Sequence, residues 1–213
     1  MVVLEINWGQ TTRVGPVTAV ITPGENDEAP DEAPDETLAP RRLDKPLIVY
    51  VVAPGDPEVM AKIEDIALDG DKVRIGSNFF RCVKMAPEDA ARDSLISKHG
   101  EKVPRFVFVG MDYEVVQVLE NKISGKKIYD AMKKTAKTCY KGNLDKRVKK
   151  FLKVLNEFDK INNARKVLTQ KEDRGVKAAE AKKIAKERGE LDKRQRKAEE
   201  EKRALLDLER KAA

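Results

Sequence analysis

The chain has 213 residues, of which 38% are charged and only 5% aromatic, and its formal net charge is +6. This length suits one ordinary domain with extensions, and the scarcity of aromatic residues requires the core to be concentrated in one part of the chain. Two cysteines are too few for a disulfide scaffold, and no apolar run approaches the roughly 20 residues that cross a bilayer. The first residues lack a basic leader, so we expect a cytoplasmic protein without membrane contact.

Residues 1–22 predict a short β extension. Residues 2–8 and 14–22 are rich in β-branched side chains and are separated by a segment that begins at Gly9, which is typical of two short strands or a hairpin. Pro16 confines the second strand to a sheet edge, because proline has no amide to donate. We expect Trp8, the single tryptophan, to pack on the domain as an anchor.

Residues 23–44 predict an acidic, proline-rich linker. The sequence Asp-Glu-Ala-Pro occurs twice in tandem, and residues 25–36 carry seven acids and no base. Like charges and prolines, with almost nothing apolar to bury, keep such a segment extended and solvated.

Residues 45–140 carry the pattern of an α/β domain. The continuous apolar run at 47–53 predicts a strand that is covered on both faces. Asp56, Pro57 and Glu58 then predict a helix start, because the carboxylate caps free amides and proline suits the first turn. The helix is predicted to continue through residues at helical spacing, which are Val59, Met60, Ile63, Ile66, Ala67 and Leu68. Further along, the pattern predicts a strand at 78–85, a helix at 87–98, strands at 103–109 and 114–120, and a closing helix at 124–139.

This order of elements over residues 45–137, with an aliphatic residue before Pro104 and a turn at 110–112, resembles the thioredoxin-like fold. The resemblance implies a mixed sheet sandwiched by helices, with Pro104 as a cis-proline. Asp56-Pro57-Glu58-Val59 stands where a redox member carries Cys-x-x-Cys. That chemistry needs a thiolate at a helix start and a second thiol within reach. We therefore expect a family-equivalent surface of Asp56, Val59 and Pro104 without redox activity or cofactor.

The remaining reactive side chains predict no catalytic residue and no metal site. Cys82 lies in a strand and reads as a small buried hydrophobe, while Cys139 lies at the end of the last domain helix. A role for either thiol in an atypical redox protein is an alternative, although pairing them would need α-carbons within about 7 Å. His99, the single histidine, is accompanied by no clustered metal ligands or catalytic partner.

Residues 141–213 predict a basic helical tail, with 24 Lys and Arg against 14 Asp and Glu. Apolar residues recur at steps of three and four and form a wide stripe: Leu144, Val148, Phe151, Leu152, Leu155, Phe158 and Ile161. We expect this stripe to pack on the body of the same chain, because the loop before it is short. Beyond residue 171 the only regular apolar positions are seven apart, which indicates a weak coiled coil or a partly disordered segment.

Two basic clusters of the tail are candidate phosphate contacts, because neutralised phosphates supply the sequence-independent part of nucleic-acid binding. They comprise Lys146, Arg147, Lys149, Lys150, Lys193, Arg194, Arg196 and Lys197. Our first hypothesis is a non-catalytic thioredoxin-like protein that serves as an interaction or assembly module through its domain and tail. Its protein partner is unknown, and the C-terminal helix offers a route to oligomers. The alternatives are a nucleic-acid or ribosome-associated protein, and a thiol protein that uses Cys82 or Cys139.

Overall fold

A computed structural model of the chain describes residues 6–11, 13–14 and 42–207. Within them, five strands form one sheet: β1 Trp8–Gln10, β2 Leu47–Val51, β3 Arg81–Met85, β4 Arg105–Val109 and β5 Val115–Glu120. The helices are α1 Pro57–Ala61, a π-helical segment Lys62–Ala67, α2 Asp71–Ser77, α3 Pro87–Arg92, α4 Gly125–Cys139, α5 Leu144–Asp173 and α6 Ala178–Leu206. The predicted α/β class and the long C-terminal helical region are confirmed.

The sheet is mixed, with the strand order β1-β3-β2-β4-β5. Strand β3 runs parallel to both β1 and β2, whereas β4 runs antiparallel to β2 and β5. Val49 at the centre of β2 lies between Val83 and Val107 in the register. All five residues of β2 are buried, which confirms the prediction of a strand covered on both faces.

The alternating side chains of the strands build a core on each face of the sheet. On one face Tyr50 stacks on Phe106, with ring centroids 4.5 Å apart, and both belong to a cluster that includes buried residues of α2, α4 and α5. On the other face Val49 and Val107 pack with Ala90 of α3. The helices thus cover both faces.

The helix after Asp56 begins as predicted but changes its winding. The Asp56 carboxylate accepts a 3.0 Å hydrogen bond from the Val59 amide, and Pro57 occupies the first turn. Beyond Ala61 the turn widens, so the amide of Leu68 donates to the carbonyl of Ile63, five residues earlier. The wider turn rotates Ile66 outward, and its side chain is 72% exposed. Ile66 follows the predicted helical spacing, but of this segment only Ile63 and Ala67 are buried.

Two other predicted boundaries are wrong for local reasons. Helix α2 was not predicted, and hydrogen-bonded turns continue from it through Phe80, so the predicted strand at 78–85 begins only at Arg81. The predicted helix at 87–98 ends at Arg92, because the buried Asp93 carboxylate accepts hydrogen bonds from the amides of Leu95 and Ile96, each 2.9 Å long.

The N-terminal segment adds an edge strand to the sheet. Strand β1 pairs with β3 and continues through Gly9 and Gln10, which the sequence placed in the segment between two strands. Trp8 is half-buried, with its ring centroid 5.8 Å from that of Tyr50, which confirms its packing on the domain. The predicted strand at 14–22 and the linker at 23–44 lie, from residue 15 to residue 41, outside the described residues.

Helices α5 and α6 form an antiparallel hairpin that is anchored to the body. Leu144, Val148 and Phe151 of α5 are buried in the same cluster as the sheet, so the prediction that the stripe packs on the body is confirmed for its first part. Farther from the body, the two helices bury a separate cluster of their own: Ile161, Leu168, Ile184 and Leu191.

Candidate functional site

Apolar side chains from three separate segments line a groove of about 250 Å³, which we call the Pro104 groove. Val59 comes from α1, Ile63 from the π-helical segment, Val103 and Pro104 from the chain before β4, and Ile123 from the chain before α4. The structure therefore brings together Val59 and Pro104, two of the three residues of the predicted surface. The Val103–Pro104 peptide bond is cis, as the resemblance implied.

Three lysines surround the apolar floor of the Pro104 groove. Lys62, Lys102 and Lys122 line the cavity and are exposed, and none of them forms an ion pair within the described part of the chain. Asn121 completes the lining, so no carboxylate opposes the three charges there. The groove combines an apolar floor with a positive rim, which attracts negatively charged ligands.

Asp56, the third residue of the predicted surface, does not line the Pro104 groove. It is exposed and caps α1 through the Val59 amide. Its position thus sets the start of the helix that carries Val59 rather than the chemistry of the cavity.

The buried side chain of Arg105 supports one wall of the Pro104 groove. Only 3% of Arg105 is exposed, and its Nη1 donates a 3.1 Å hydrogen bond to the carbonyl of Lys102. Burial lowers the pKa of Arg105, while the charge of Glu120, its neighbour in the β4–β5 register, opposes that effect. The hydrogen bond ties the segment that carries Lys102 and Val103 to β4.

The lining of the Pro104 groove contains no Cys, Ser, His, Asp or Glu. An apolar floor with lysine ammonium groups and one amide provides contacts for a bound segment, but no thiolate and no carboxylate for general acid–base catalysis. The arrangement is suited to binding.

Both cysteines lie away from this groove and are buried. Burial raises the pKa of Cys82 to about 12, with a smaller opposite effect from Lys45. Cys82 borders a different cavity of about 710 Å³, whereas Cys139 lies at the end of α4 with its sulfur 3.5 Å from the Thr138 hydroxyl. Both thiols are free, and the raised pKa makes Cys82 a poor nucleophile.

The eight candidate phosphate contacts fall into two groups, and half of them already have partners. Arg147 donates to backbone carbonyls at the end of α6, among them that of Asp207 at 2.6 Å. The other three partnered residues form ion pairs: Lys149 with Asp145, Lys193 with Glu190, and Arg194 with Glu157. Lys146, Lys150, Arg196 and Lys197 are exposed. Within each cluster no acid interrupts the basic residues, and the acids that pair with them lie outside the two clusters.

Sequence reasoning missed the residues that complete the Pro104 groove: Lys62, Lys102, Asn121, Lys122 and Ile123. Asn121 and Lys122 adopt left-handed backbone conformations, with φ of 51° and 42°, which turn the chain from β5 toward α4. No linear motif connects these positions, because the groove forms only when three distant segments meet.

Among the described residues, no helix is both long and apolar enough to cross a membrane, and no three His, Cys, Asp or Glu side chains are grouped to hold a metal ion. Comparisons with protein-family models, curated proteins and solved structures found no match to this chain.

Proposed function

We propose that this chain is a non-catalytic thioredoxin-like protein that acts as a protein-interaction or assembly module through its domain and helical tail. The observation that carries the proposal is the Pro104 groove. Where a redox member of the resembled family holds its thiols, this chain has a capped helix start beside an apolar cavity rimmed by lysines. The mixed sheet covered by helices on both faces, with β4 and β5 antiparallel and α4 following them, supports the fold assignment.

The lining of the groove favours an extended protein segment that carries an apolar side chain between acidic residues. Val103 is 40% exposed, so the described chain leaves apolar surface uncovered at the cavity. Burying that surface under a ligand side chain contributes about 25 cal/mol per Å². Lys62, Lys102 and Lys122 then pair with the flanking carboxylates and orient the segment.

Photo-crosslinking from the groove tests the proposal in the full-length protein. A photoreactive amino acid replaces Val103 and is activated in cells, with and without the substitution Val59→Glu, which places a carboxylate in the apolar floor. Ile66→Glu is the matched control, because Ile66 is exposed on the neighbouring helical turn and does not line the cavity. We expect crosslinked proteins that disappear with Val59→Glu and persist with Ile66→Glu.

A crosslinking pattern that is the same in all three proteins contradicts the groove as an interaction site. Two further measurements separate the alternatives. Crosslinks that survive replacement of Cys82 and Cys139 by serine are independent of thiol chemistry. Salt-sensitive retention on RNA, lost on replacing Lys146 and Lys150 by glutamate, would instead favour a nucleic-acid role.

A further inference from the structure

A line of six charged residues follows the side of α6 that borders a groove between α5 and α6. We call this line the α6 charge stripe, and its residues are Lys183, Glu187, Glu190, Arg194, Lys197 and Glu201. Steps of four and three residues keep all six on one face of the helix. Five of them are exposed, and Glu187 is half-buried.

The groove beside the α6 charge stripe leaves apolar surface uncovered. Two adjoining cavities of about 620 and 310 Å³ share Arg194 and extend along the hairpin. Their lining includes Val167 of α5, which is 50% exposed, and Leu191 and Ala198 of α6, which are buried against the hairpin. Another helix packed along this face would cover the exposed side chain of Val167.

The order of signs along the stripe is complementary to itself. From Lys183 to Glu201 the charges are positive, negative, negative, positive, positive and negative, and the reversed order has the opposite sign at every position. If a second α6 runs antiparallel with the two-fold axis level with Asp192, every stripe charge meets an opposite charge. Lys186, which also lines the groove, then falls level with Ala198 and meets no charge of the same kind. The pairs are Lys183 with Glu201, Glu187 with Lys197, and Glu190 with Arg194, each formed twice.

We propose that two copies of this chain associate through antiparallel α6 charge stripes, in a two-fold interface that uses the same patch on both copies. This inference rests on the part of the proposed function that assigns assembly to the helical tail, and it names a second copy of the chain as the partner. The complementarity is confined to the stripe. On the opposite side of α6, the same two-fold arrangement would bring Arg188 near Arg196, which disfavours pairing through that side.

Contacts within one chain hold the centre of the stripe at the edge of the groove. Arg194 donates from Nε and Nη2 to the Glu157 carboxylate of α5, and Glu190 pairs with Lys193 at 3.0 Å. In the dimer, Arg194 lies between Glu157 and Glu190 of the second copy. Because each pair is exposed and screened by ions, the association is weak and depends on salt.

A charge-swap experiment with the full-length protein tests this interface. The first variant carries Lys183→Glu and Lys197→Glu, and the second carries Glu187→Lys and Glu201→Lys. Neither variant changes Arg194 or Glu157, so the contact between α5 and α6 is kept. A control with Lys182→Glu and Arg196→Glu makes the same change of charge on the opposite side of α6. Sedimentation equilibrium measures the association, and circular dichroism verifies equal helix content.

We expect the mass of the unmodified chain to rise with concentration from 24.0 kDa toward twice that value at low salt. At about 1 M salt, where the Debye length is about 3 Å, it should return to the monomer mass. Each charge variant alone should associate more than about tenfold more weakly, because like charges then oppose each other. A mixture of the two variants should recover the dimer, and the control should behave as the unmodified chain.

A monomeric unmodified chain at all concentrations, or a mixture that fails to recover the dimer, would overturn the proposed interface. The groove crosslinking is read independently, because Val59 and Val103 lie on the body and the swapped charges lie on α6. A negative result in one experiment therefore does not decide the other proposal.

Discussion

The hydroxyl of Tyr140, at the end of α4, donates a 2.7 Å hydrogen bond to the backbone carbonyl of Phe79, which precedes β3. Both residues are buried, so the bond joins the closing helix of the body to a segment 61 residues earlier in the chain. The junction between α4 and α5 therefore belongs to the core of the body.

Tyr140→Phe should destabilise the protein by about 1–3 kcal/mol, because the buried Phe79 carbonyl loses its donor. Urea unfolding followed by circular dichroism measures the free energy of unfolding. Tyr113→Phe is the control, since the hydroxyl of the half-buried Tyr113 has no hydrogen bond in the described residues. Its effect should stay within about 0.5 kcal/mol. Equal effects of the two changes would contradict a structural role for the Tyr140 hydroxyl.

Ending the chain after Cys139 should abolish cooperative unfolding. The truncation removes Tyr140, Leu144, Val148 and Phe151 from the core, and burying one large apolar side chain contributes about 1.5–3 kcal/mol. The sum is comparable to a whole domain's stability of about 5–15 kcal/mol. Thermal unfolding by circular dichroism tests this, and a sharp transition near that of the full chain would show that α5 is dispensable.

The same substitution at two helical glycines should have opposite effects. A β-carbon at position 125 would lie 2.8 Å from the Ala67 carbonyl oxygen, so Gly125→Ala should destabilise by about 1–3 kcal/mol. Gly189 on α6 has no atom within 4 Å of that position, so Gly189→Ala should stabilise by about 0.5–1 kcal/mol through helix propensity. The urea midpoints of the two variants measure these changes in stability. A stabilising effect of both substitutions would contradict the close contact between position 125 and Ala67.

Asp145→Asn should lower stability near neutral pH and have less effect in acid. Hydrogen bonds from Lys149 and Tyr129 lower the pKa of Asp145 in the folded chain. The stabilisation is therefore present above the unfolded pKa of about 3.9 and is lost as pH falls through the folded value. We expect a loss of about 1 kcal/mol at pH 7, typical of one hydrogen bond.

Urea unfolding of Asp145→Asn between pH 7 and pH 3 measures this difference. Asp65→Asn, a change at an exposed residue, serves as the control and should give a small difference at every pH. A difference for Asp145→Asn that grows toward low pH would contradict the assigned direction of the pKa change.

Cys82 should react slowly with alkylating reagents in the folded protein. Burial raises its pKa to about 12, about three units above the ordinary value, so its thiolate fraction at neutral pH is about 10³-fold lower. The rate of iodoacetamide labelling, resolved by peptide mass spectrometry, should rise about tenfold per pH unit above neutrality while the fold persists. The same chain in urea is the control, and rapid labelling of folded Cys82 at pH 7 would revive the thiol alternative.

The sequence predicted those features of the fold that depend on nearby residues. The prediction of a helix start at Asp56 was correct, because the cap and the proline act within one helical turn. The prediction of a buried strand around Val49 was correct, because the side chains of an unbroken apolar run avoid water only when both faces of the strand are covered. The end of α3 was missed because the Asp93 carboxylate holds the amides of the next turn, a choice that spacing does not reveal.

The candidate site was predicted only in part. Val59 and Pro104 were placed on one surface through the resemblance, whereas Lys102 and Lys122 had no signal of their own. From the sequence alone, a lysine in a turn is interpreted as a solvated charge. Only the fold shows that a distant segment places apolar side chains beside it.

The sequence by itself determined the α/β class, the cap at Asp56 and the apolar stripe of α5, because each follows from periodicity or from contacts within a few residues. Only the tertiary structure decided that Val59, Pro104 and Ile123 share a groove, since this depends on the antiparallel alignment of β4 with β2 and on the turn after β5. It also decided which charges of α6 border the hairpin groove, because the face left open depends on where α5 packs.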